Sequence, residues 1–120
     1  MRRGDIYTAA ARGVYSGKPR PVVIVQDDRF DASASVTVCP LTTNPAEAPL
    51  FRLPVEPSES NGLDQLSFLM ADKVTTMSRG NIRDHLGRLG DNHLVQLNRA
   101  LIVFFGLAEA APVADRERAA

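Results

Sequence analysis

The stretch SGKPRPVVIVQDD, residues 16–28, joins a proline-flanked arginine directly to a run of apolar, mostly β-branched residues. Each proline fixes its own φ and pushes the preceding residue toward an extended backbone, so Arg20 sits on a stiff segment between Pro19 and Pro21. The apolar residues 22–25 predict a strand that is buried on both faces. An arginine at the entrance of such a strand is either a structural ion-pair partner or a charge that binds a ligand, and the residues alone leave both interpretations open.

Further strand patterns lie on both sides of this segment. The β-rich segments are residues 3–9, 21–26, 35–42, 50–55, 66–77 and 82–89, separated by turns rich in Gly, Pro, Asn and Asp. Pro40, near the end of the third segment, is expected at a sheet edge or at a strand end. Six short strands followed by a helical pattern predict a mainly β fold, a small antiparallel barrel with a C-terminal helix packed on it.

The helical pattern begins after Gly90, with Asp91 or Asn92 as its expected cap. Its apolar residues recur at helical spacing on one face, and further apolar residues extend that face, so we expect the helix to bury more than one side. The residues on the first face are Leu94, Leu97, Leu101, Phe104, Phe105 and Ala108, and those that extend it are Ile102 and Val103.

Length and composition indicate one domain. The 120 residues are 44% hydrophobic and 23% charged, which is typical of a globular protein, and their formal net charge is zero. A polyanion would therefore have to be bound by a local basic patch. We assign residues 1–111 to the domain and predict that residues 112–120 form a disordered tail. No signal peptide and no apolar run long enough for a bilayer are present, which predicts a cytoplasmic protein without a membrane partner.

Several kinds of chemistry find no support in the sequence. Cys39 is the only cysteine, and its apolar neighbours predict a buried, reduced thiol and not a nucleophile. His85 and His93 lack metal-ligand spacing and lie in polar surroundings, so we expect both to be solvated. No phosphate-binding glycine loop and no Ser-His-Asp arrangement are recognisable. The sequence thus predicts neither a metal site nor a cofactor.

Four motifs occur in an order that resembles a known family. They are RRGDIY at residues 2–7, RPVVIVQDD at 20–28, VCPLTTN at 38–44 and NGLDQLSFLMADKVTTM at 61–77. Together they resemble the MazF/PemK family of type II toxin–antitoxin systems. The resemblance implies an SH3-like barrel with a C-terminal helix, assembled as a homodimer. It also implies a sequence-specific endoribonuclease, or mRNA interferase, that cleaves single-stranded RNA. A cognate MazE-like antitoxin would neutralise it through an acidic and apolar C-terminal segment.

The family's catalytic pair corresponds to Arg20 and Thr42. RNA cleavage by the adjacent 2′-hydroxyl requires neither a metal nor a covalent enzyme group, but it requires charge stabilisation on phosphorus and protonation of the leaving 5′ oxygen. A guanidinium matches phosphate oxygens with a planar fork of donors, and a threonine hydroxyl adds another donor. Arginine stays protonated and is therefore a poor general base. We assign Arg20 an electrostatic and acid role and assign the general base to no residue.

The resemblance also implies an RNA-binding groove. Its residues would be Ser16, Lys18, Thr43, Ser67, Asp72 and Lys73. The first loop departs from the family, because residues 13–16 read GVYS where many members carry Gly-Ser-Glu-Gln. Tyr15 in this loop either stacks on an RNA base or packs against the loop itself.

Two other functions stay open at this point. The first is a CcdB-like gyrase poison with the same fold, which residues 99–106, RALIVFFG, would allow and which Arg20 and Thr42 in their motifs oppose. The second is a catalytically inactive barrel that serves only in a toxin–antitoxin complex. An RNA cleavage assay separates the three functions.

Overall fold

Antiparallel strands and one C-terminal helix make up the computed structural model, which describes residues 1–10, 18–45 and 52–107. The seven strands of this part are β1 Asp5–Ala9, β2 Arg20–Ile24, β3 Ser35–Thr42, β4 Arg52–Val55, β5 Ser67–Met70, β6 Thr75–Ser78 and β7 Ile82–Arg88. The helix α1 is Asp91–Phe104, and short 3-10 turns are Asp28–Phe30, Ala71–Lys73 and Arg79–Asn81. The prediction of a mainly antiparallel β fold with one C-terminal helix is confirmed. Its predicted tail, residues 112–120, lies outside the described residues.

The sheet is built around β3. The strand order is β4-β5-β3-β2-β1-β7, and β6 pairs with β3 outside this path. Alternating residues of β2 and β3 enter two separate apolar clusters, as the period-two geometry of strands requires. Val23, Cys39 and Leu41 pack in the cluster that contains Leu97 of α1. The intervening residues, such as Val38, form the second cluster on the other face of the sheet.

The single strand expected over residues 66–77 is wrong, because the structure divides it into β5, a 3-10 turn and β6. Both strands pair with β3, at Leu41↔Leu69 for β5 and at Val38↔Thr75 for β6. Three residue steps along β3 (41 − 38) therefore match six steps along the other segment (75 − 69), and the surplus equals the three residues of the turn Ala71–Lys73. This shift depends on pairing with a distant strand, which the local pattern does not contain.

Pro40 lies in an inner strand, so the expectation of an edge or a strand end is wrong. It pairs with Val22 of β2 on one side of β3. On the other side, the ladder to β6 covers residues 35–38 and the ladder to β5 covers Leu41 and Thr42. Pro40 falls between these two ladders, where its missing N–H breaks neither of them.

The helix α1 is capped and buried differently from the expectation. Its N-cap is Gly90, which makes no side-chain capping bond, and Asp91 is the first helical residue. Leu97 is fully buried, and Leu94 and Leu101 pack against the same cluster. The apolar side chains of Val95, Ile102, Val103, Phe104, Phe105 and Leu107 are exposed, so the described part of the chain buries only one side of the helix. No helix among the described residues is long and apolar enough to cross a membrane.

Candidate active site

Strand ends from distant parts of the sequence meet at one end of the sheet. In the order β5-β3-β2-β1 all neighbours are antiparallel, so the end of β3 lies beside the starts of β2 and β5, and the end of β1 lies beside the start of β2. A groove of about 540 Å³ opens there. Its lining residues are Thr8, Lys18, Pro19, Arg20, Pro21, Leu41, Thr42, Thr43, Gly62, Leu63, Asp64, Gln65, Ser67 and Leu86.

Arg20 is the first residue of β2 and lines this groove with an exposed side chain. Its backbone pairs with Ala9 at the end of β1, which anchors the segment between Pro19 and Pro21. Within residues 1–10, 18–45 and 52–107 the guanidinium has no ion-pair or hydrogen-bond partner. Of the two interpretations that the sequence left open, the structural ion pair therefore finds no support in the described part of the chain.

Thr42 ends β3 beside Arg20. The register Val22↔Pro40 and Val23↔Cys39, continued by two residues, sets Arg20 opposite Thr42 on the neighbouring strand. Thr42 is only 4% exposed, and its Oγ1 accepts a hydrogen bond of 3.1 Å from the backbone N–H of Asn44. This bond occupies one lone pair and fixes the position of the oxygen, while the hydroxyl proton stays available for donation to a ligand in the groove.

Three more of the sequence-predicted residues line the same groove, namely Lys18, Thr43 and Ser67. Lys18 is exposed and, like Arg20, has no ion-pair partner within the described ranges. Ser67 is buried, and its hydroxyl donates to the carbonyl oxygen of Gln65 at 3.0 Å, which ties the start of β5 to the loop before it. Five predicted residues that are far apart in the sequence, Arg20 and Thr42 included, thus share one cavity.

Of the other four predicted residues, Asp72 and Lys73 do not line the groove, and the other two are not described. Tyr15 and Ser16 lie outside the residues that the structure describes. Asp72 and Lys73 belong to the 3-10 turn between β5 and β6, and this turn packs against α1. Oδ1 of Asp72 is buried without a hydrogen-bond partner, whereas Lys73 is exposed.

One wall of the groove was not assigned from the sequence. It is formed by Gly62, Leu63, Asp64 and Gln65, which belong to the motif NGLDQ at residues 61–65. The buried amide of Asn61 supports this wall: its Oδ1 accepts from the N–H groups of Ser58 at 2.9 Å and Leu63 at 3.0 Å. The signal available in the sequence was the Asn-Gly turn itself, which predicts a tight turn but not its position beside Arg20.

Gly62 fits this wall because no larger residue can take its place. Its φ is +69°, and a Cβ atom at this position would lie 2.1 Å from the carbonyl oxygen of Leu86. The loop therefore contacts β7 through bare backbone, which holds the wall close to the sheet.

The remaining reactive side chains lie away from the groove. The pKa of the Cys39 thiol is raised to about 12, mainly by burial; a backbone hydrogen bond from Met70 acts to lower it and the nearby Asp72 carboxylate to raise it. At neutral pH the thiol is protonated and fully buried, so it is no nucleophile. The exposed His85 ring packs against Tyr7, with ring centroids 4.9 Å apart. No group of three or more His, Cys, Asp or Glu side chains within the described residues could hold a metal ion.

Comparison with known proteins assigns the fold and the family. A protein from Mycolicibacterium smegmatis named "Probable endoribonuclease MazF" is 59% identical over 108 residues, which cover 90% of this chain and 99% of that protein. "Endoribonuclease MazF" of Staphylococcus saprophyticus is 32% identical over 113 residues, covering 89% and 92%. Both names agree with the enzyme class predicted from the sequence.

Solved structures show the same fold. The Mycobacterium tuberculosis toxin MazF-mt6 superposes with a TM-score of 0.72 at 26% identity, covering 88% of this chain and 99% of that chain. An endoribonuclease in complex with its cognate antitoxin from a mycobacterial species gives a TM-score of 0.75 at 24% identity, covering 91% and 98%. The family model for the "PemK-like, MazF-like toxin of type II toxin-antitoxin system" matches residues 2–105, and the chain therefore belongs to this family.

Proposed function

We propose that the groove between the start of β2 and the loop before β5 is the active site of a sequence-specific, metal-independent endoribonuclease acting on single-stranded RNA. The observation that carries the proposal is the convergence of Lys18 and Arg20, two cations without a partner among the described residues, with the hydroxyl of Thr42 in one cavity. A net charge of zero gives the molecule no general attraction for RNA, so binding depends on this local patch.

The proposed reaction is attack by a 2′-hydroxyl on the adjacent phosphorus. The O2′–P bond forms, the P–O5′ bond breaks, the proton of the 2′-hydroxyl is released and the 5′ oxygen gains a proton. Arg20 stabilises the charge on the phosphorane with its fork of N–H donors and hydrogen-bonds the leaving oxygen, which takes its proton from water. The hydroxyl of Thr42 donates a hydrogen bond to a phosphate oxygen. Donors held in place before the reaction contribute about 10²–10³-fold each in rate.

Groove residues beyond this pair hold the RNA strand. Lys18 neutralises a phosphate, and Thr43 and Ser67 supply hydroxyl and backbone contacts at the ends of β3 and β5. Tyr15 and Ser16 of the first loop remain predicted RNA contacts. Asp72 and Lys73 also remain predictions, and they require an RNA strand that extends beyond the groove to the 3-10 turn.

The direct test is cleavage of single-stranded RNA by the purified protein in excess chelator. We expect cleavage to continue and to leave 2′,3′-cyclic phosphate and 5′-hydroxyl ends. A strict requirement for Mg²⁺ would contradict the mechanism. An uncut RNA pool together with inhibition of gyrase would instead favour the CcdB-like function, and an uncut pool without it would favour the inactive barrel.

We further propose that a cognate antitoxin neutralises the chain through an acidic and apolar C-terminal segment that occupies the Arg20 groove. The complexes solved for family members and the positive charge of Lys18 and Arg20 support this. A peptide of this composition should compete with RNA for binding. Inhibition by the peptide with RNA binding unchanged would refute the competition.

The protein is also proposed to form a homodimer. Six large apolar side chains are exposed on the outer face of α1 and just after its C-terminal end. This is more exposed apolar surface than a monomer of this size usually has. The six side chains are Val95, Ile102, Val103, Phe104, Phe105 and Leu107. Light scattering should give the mass of a dimer, and a monomer mass at micromolar concentration would contradict this proposal.

A further inference from the structure

The two sides of the groove differ in charge. Lys18 and Arg20 enter from the start of β2, on one side of the end of β3. The loop that leads into β5 enters from the other side and contributes Asp64, the only acidic residue among the described lining residues. A carboxylate repels phosphate, so an RNA backbone held by the two cations is kept away from the Asp64 side. The bases of the strand are then the part that faces Asp64.

The Asp64 carboxylate is exposed and has no hydrogen-bond or ion-pair partner in the described part of the chain. It is therefore free to bind a ligand group, and as an ionised carboxylate it can only accept hydrogen bonds. The backbone before Asp64 is well fixed, since the preceding loop is bound by Asn61 and lies against β7. Nδ2 of Asn61 donates to the carbonyl of Glu56 at 2.8 Å, and the N–H of Arg88 in β7 donates to the carbonyl of Ser60 at 2.8 Å.

We propose that Asp64 is a specificity-determining residue that binds the Watson–Crick edge of a guanine in the RNA strand. This inference rests on the proposed function and adds to it the identity of one recognised base. Guanine presents two adjacent donors on that edge, N1–H and the N2 amino group, which match the two oxygens of a carboxylate. Adenine and cytosine place a ring acceptor beside their amino group, and uracil flanks its single N–H with two carbonyl oxygens. In each of these bases an acceptor would lie opposite a carboxylate oxygen, which is also an acceptor, and the two would repel each other.

The first experiment measures which bases are required. A single-stranded RNA library with randomised positions around the cut is digested, and the new ends are sequenced. We expect the wild-type protein to require guanine at one position, with a discrimination of roughly tenfold or more. At that position inosine, which lacks the N2 amino group, should slow cleavage similarly, whereas 7-deazaguanine, which keeps the whole Watson–Crick edge, should be cut like guanine.

The second experiment assigns this preference to Asp64. Asp64→Asn keeps the size of the side chain but offers one donor and one acceptor, so guanine and inosine should be cut at nearly equal rates by this variant. Glu59→Gln is the matched control, because Glu59 is an exposed acid of the same loop that does not line the groove. It should keep the wild-type preference for guanine over inosine.

Two results would overturn the inference. An Asp64→Asn variant that keeps the full preference for guanine would show that Asp64 reads no base. A uniform loss of rate at every sequence, with the preference unchanged, would show that Asp64 acts on the chemistry instead of on recognition. Both results leave the proposed function intact, which fails separately if the wild-type protein cuts no RNA or if Arg20→Ala cuts as well as the wild type.

Discussion

Arg79 and Arg20 occupy opposite situations in the same small fold. Arg79 begins the 3-10 turn after β6, and its guanidinium donates to the carbonyl oxygens of Ser33, at 2.9 Å, and Asp31. It also lies 3.8 Å from the Asp31 carboxylate, which the charged amino group of Met1 approaches to 3.4 Å. Arg20 has no such partner among the described residues and faces the groove. The two arginines show that residue type alone does not distinguish a structural charge from a ligand-binding one, whereas the acceptors around it do.

This contrast extends to the two regions that the arginines represent. Around Arg79, the N-terminus, a carboxylate and two backbone carbonyls of the loop before β3 satisfy one another, so the charges serve to hold the chain together. Around the groove, two cations and one carboxylate have no partner in the described part of the chain. Their free hydrogen-bonding groups indicate that a ligand with complementary groups binds there. An unpaired charge contributes little to folding stability, which is why it can be specialised for binding.

The largest expected effect follows from removing Arg20. Arg20→Ala should lower RNA cleavage by about 10²-fold or more, because a donor aimed at the phosphorane is lost. Its unfolding free energy should change by less than about 0.5 kcal/mol, since the side chain is exposed and has no partner in the described part of the chain. Initial cleavage rates and chemical denaturation measure the two quantities. The matched control is Arg29→Ala, which removes an exposed arginine outside the groove and should leave cleavage unchanged.

Thr42 should show the next largest effect. Thr42→Ala removes the hydroxyl donor and should reduce cleavage by about tenfold or more. Thr42→Ser keeps the hydroxyl and its bond from the N–H of Asn44, so most of the activity should return. Equal losses in the Ser and Ala variants would mean that the buried methyl group, and not the hydroxyl, is what the site requires.

The effect of Arg79→Ala should appear in stability instead of cleavage. The substitution removes two hydrogen bonds from a charged donor to backbone carbonyls and a half-exposed ion pair with Asp31. We expect this loss to lower the free energy of unfolding by about 1–2 kcal/mol. Urea denaturation measures this cost, and cleavage by the folded fraction should stay at the wild-type rate. A fully stable variant would show that the bonds around Arg79 do not hold the N-terminus and β6 together.

How far the sequence predicts this molecule depends on the range of the interactions involved. The bounds of β3 were predicted correctly because its apolar and β-branched pattern is local. Arg20 and Thr42 were found through short motifs. The turn Ala71–Lys73 was missed because it arises from a register shift against β3. Asp64 in the groove wall was missed because its neighbours across the groove are more than 20 positions away in the sequence. Whether Arg20 has a partner is also decided by the folded chain and not by the local sequence, and among the described residues it has none.

The smallest expected effect concerns the two lysines. For a single strand, each phosphate contact that is removed lowers the slope of log affinity against log salt by about 0.7. With a short oligonucleotide that fills only the groove, Lys18→Gln should show this change and Lys73→Gln should not, whereas a longer strand should reveal both. Binding of oligonucleotides with a blocked 2′-hydroxyl across a salt series measures the slopes. No change for Lys18→Gln at either length would exclude Lys18 from the site.

The most direct test of the central claim measures cleavage rate and unfolding free energy on the same preparations of Arg20→Ala and Arg79→Ala. The account predicts opposite outcomes: Arg20→Ala loses cleavage and keeps wild-type stability, while Arg79→Ala loses stability and keeps cleavage when folded. Near-wild-type cleavage by a folded Arg20→Ala protein would contradict the assignment of the groove as the active site.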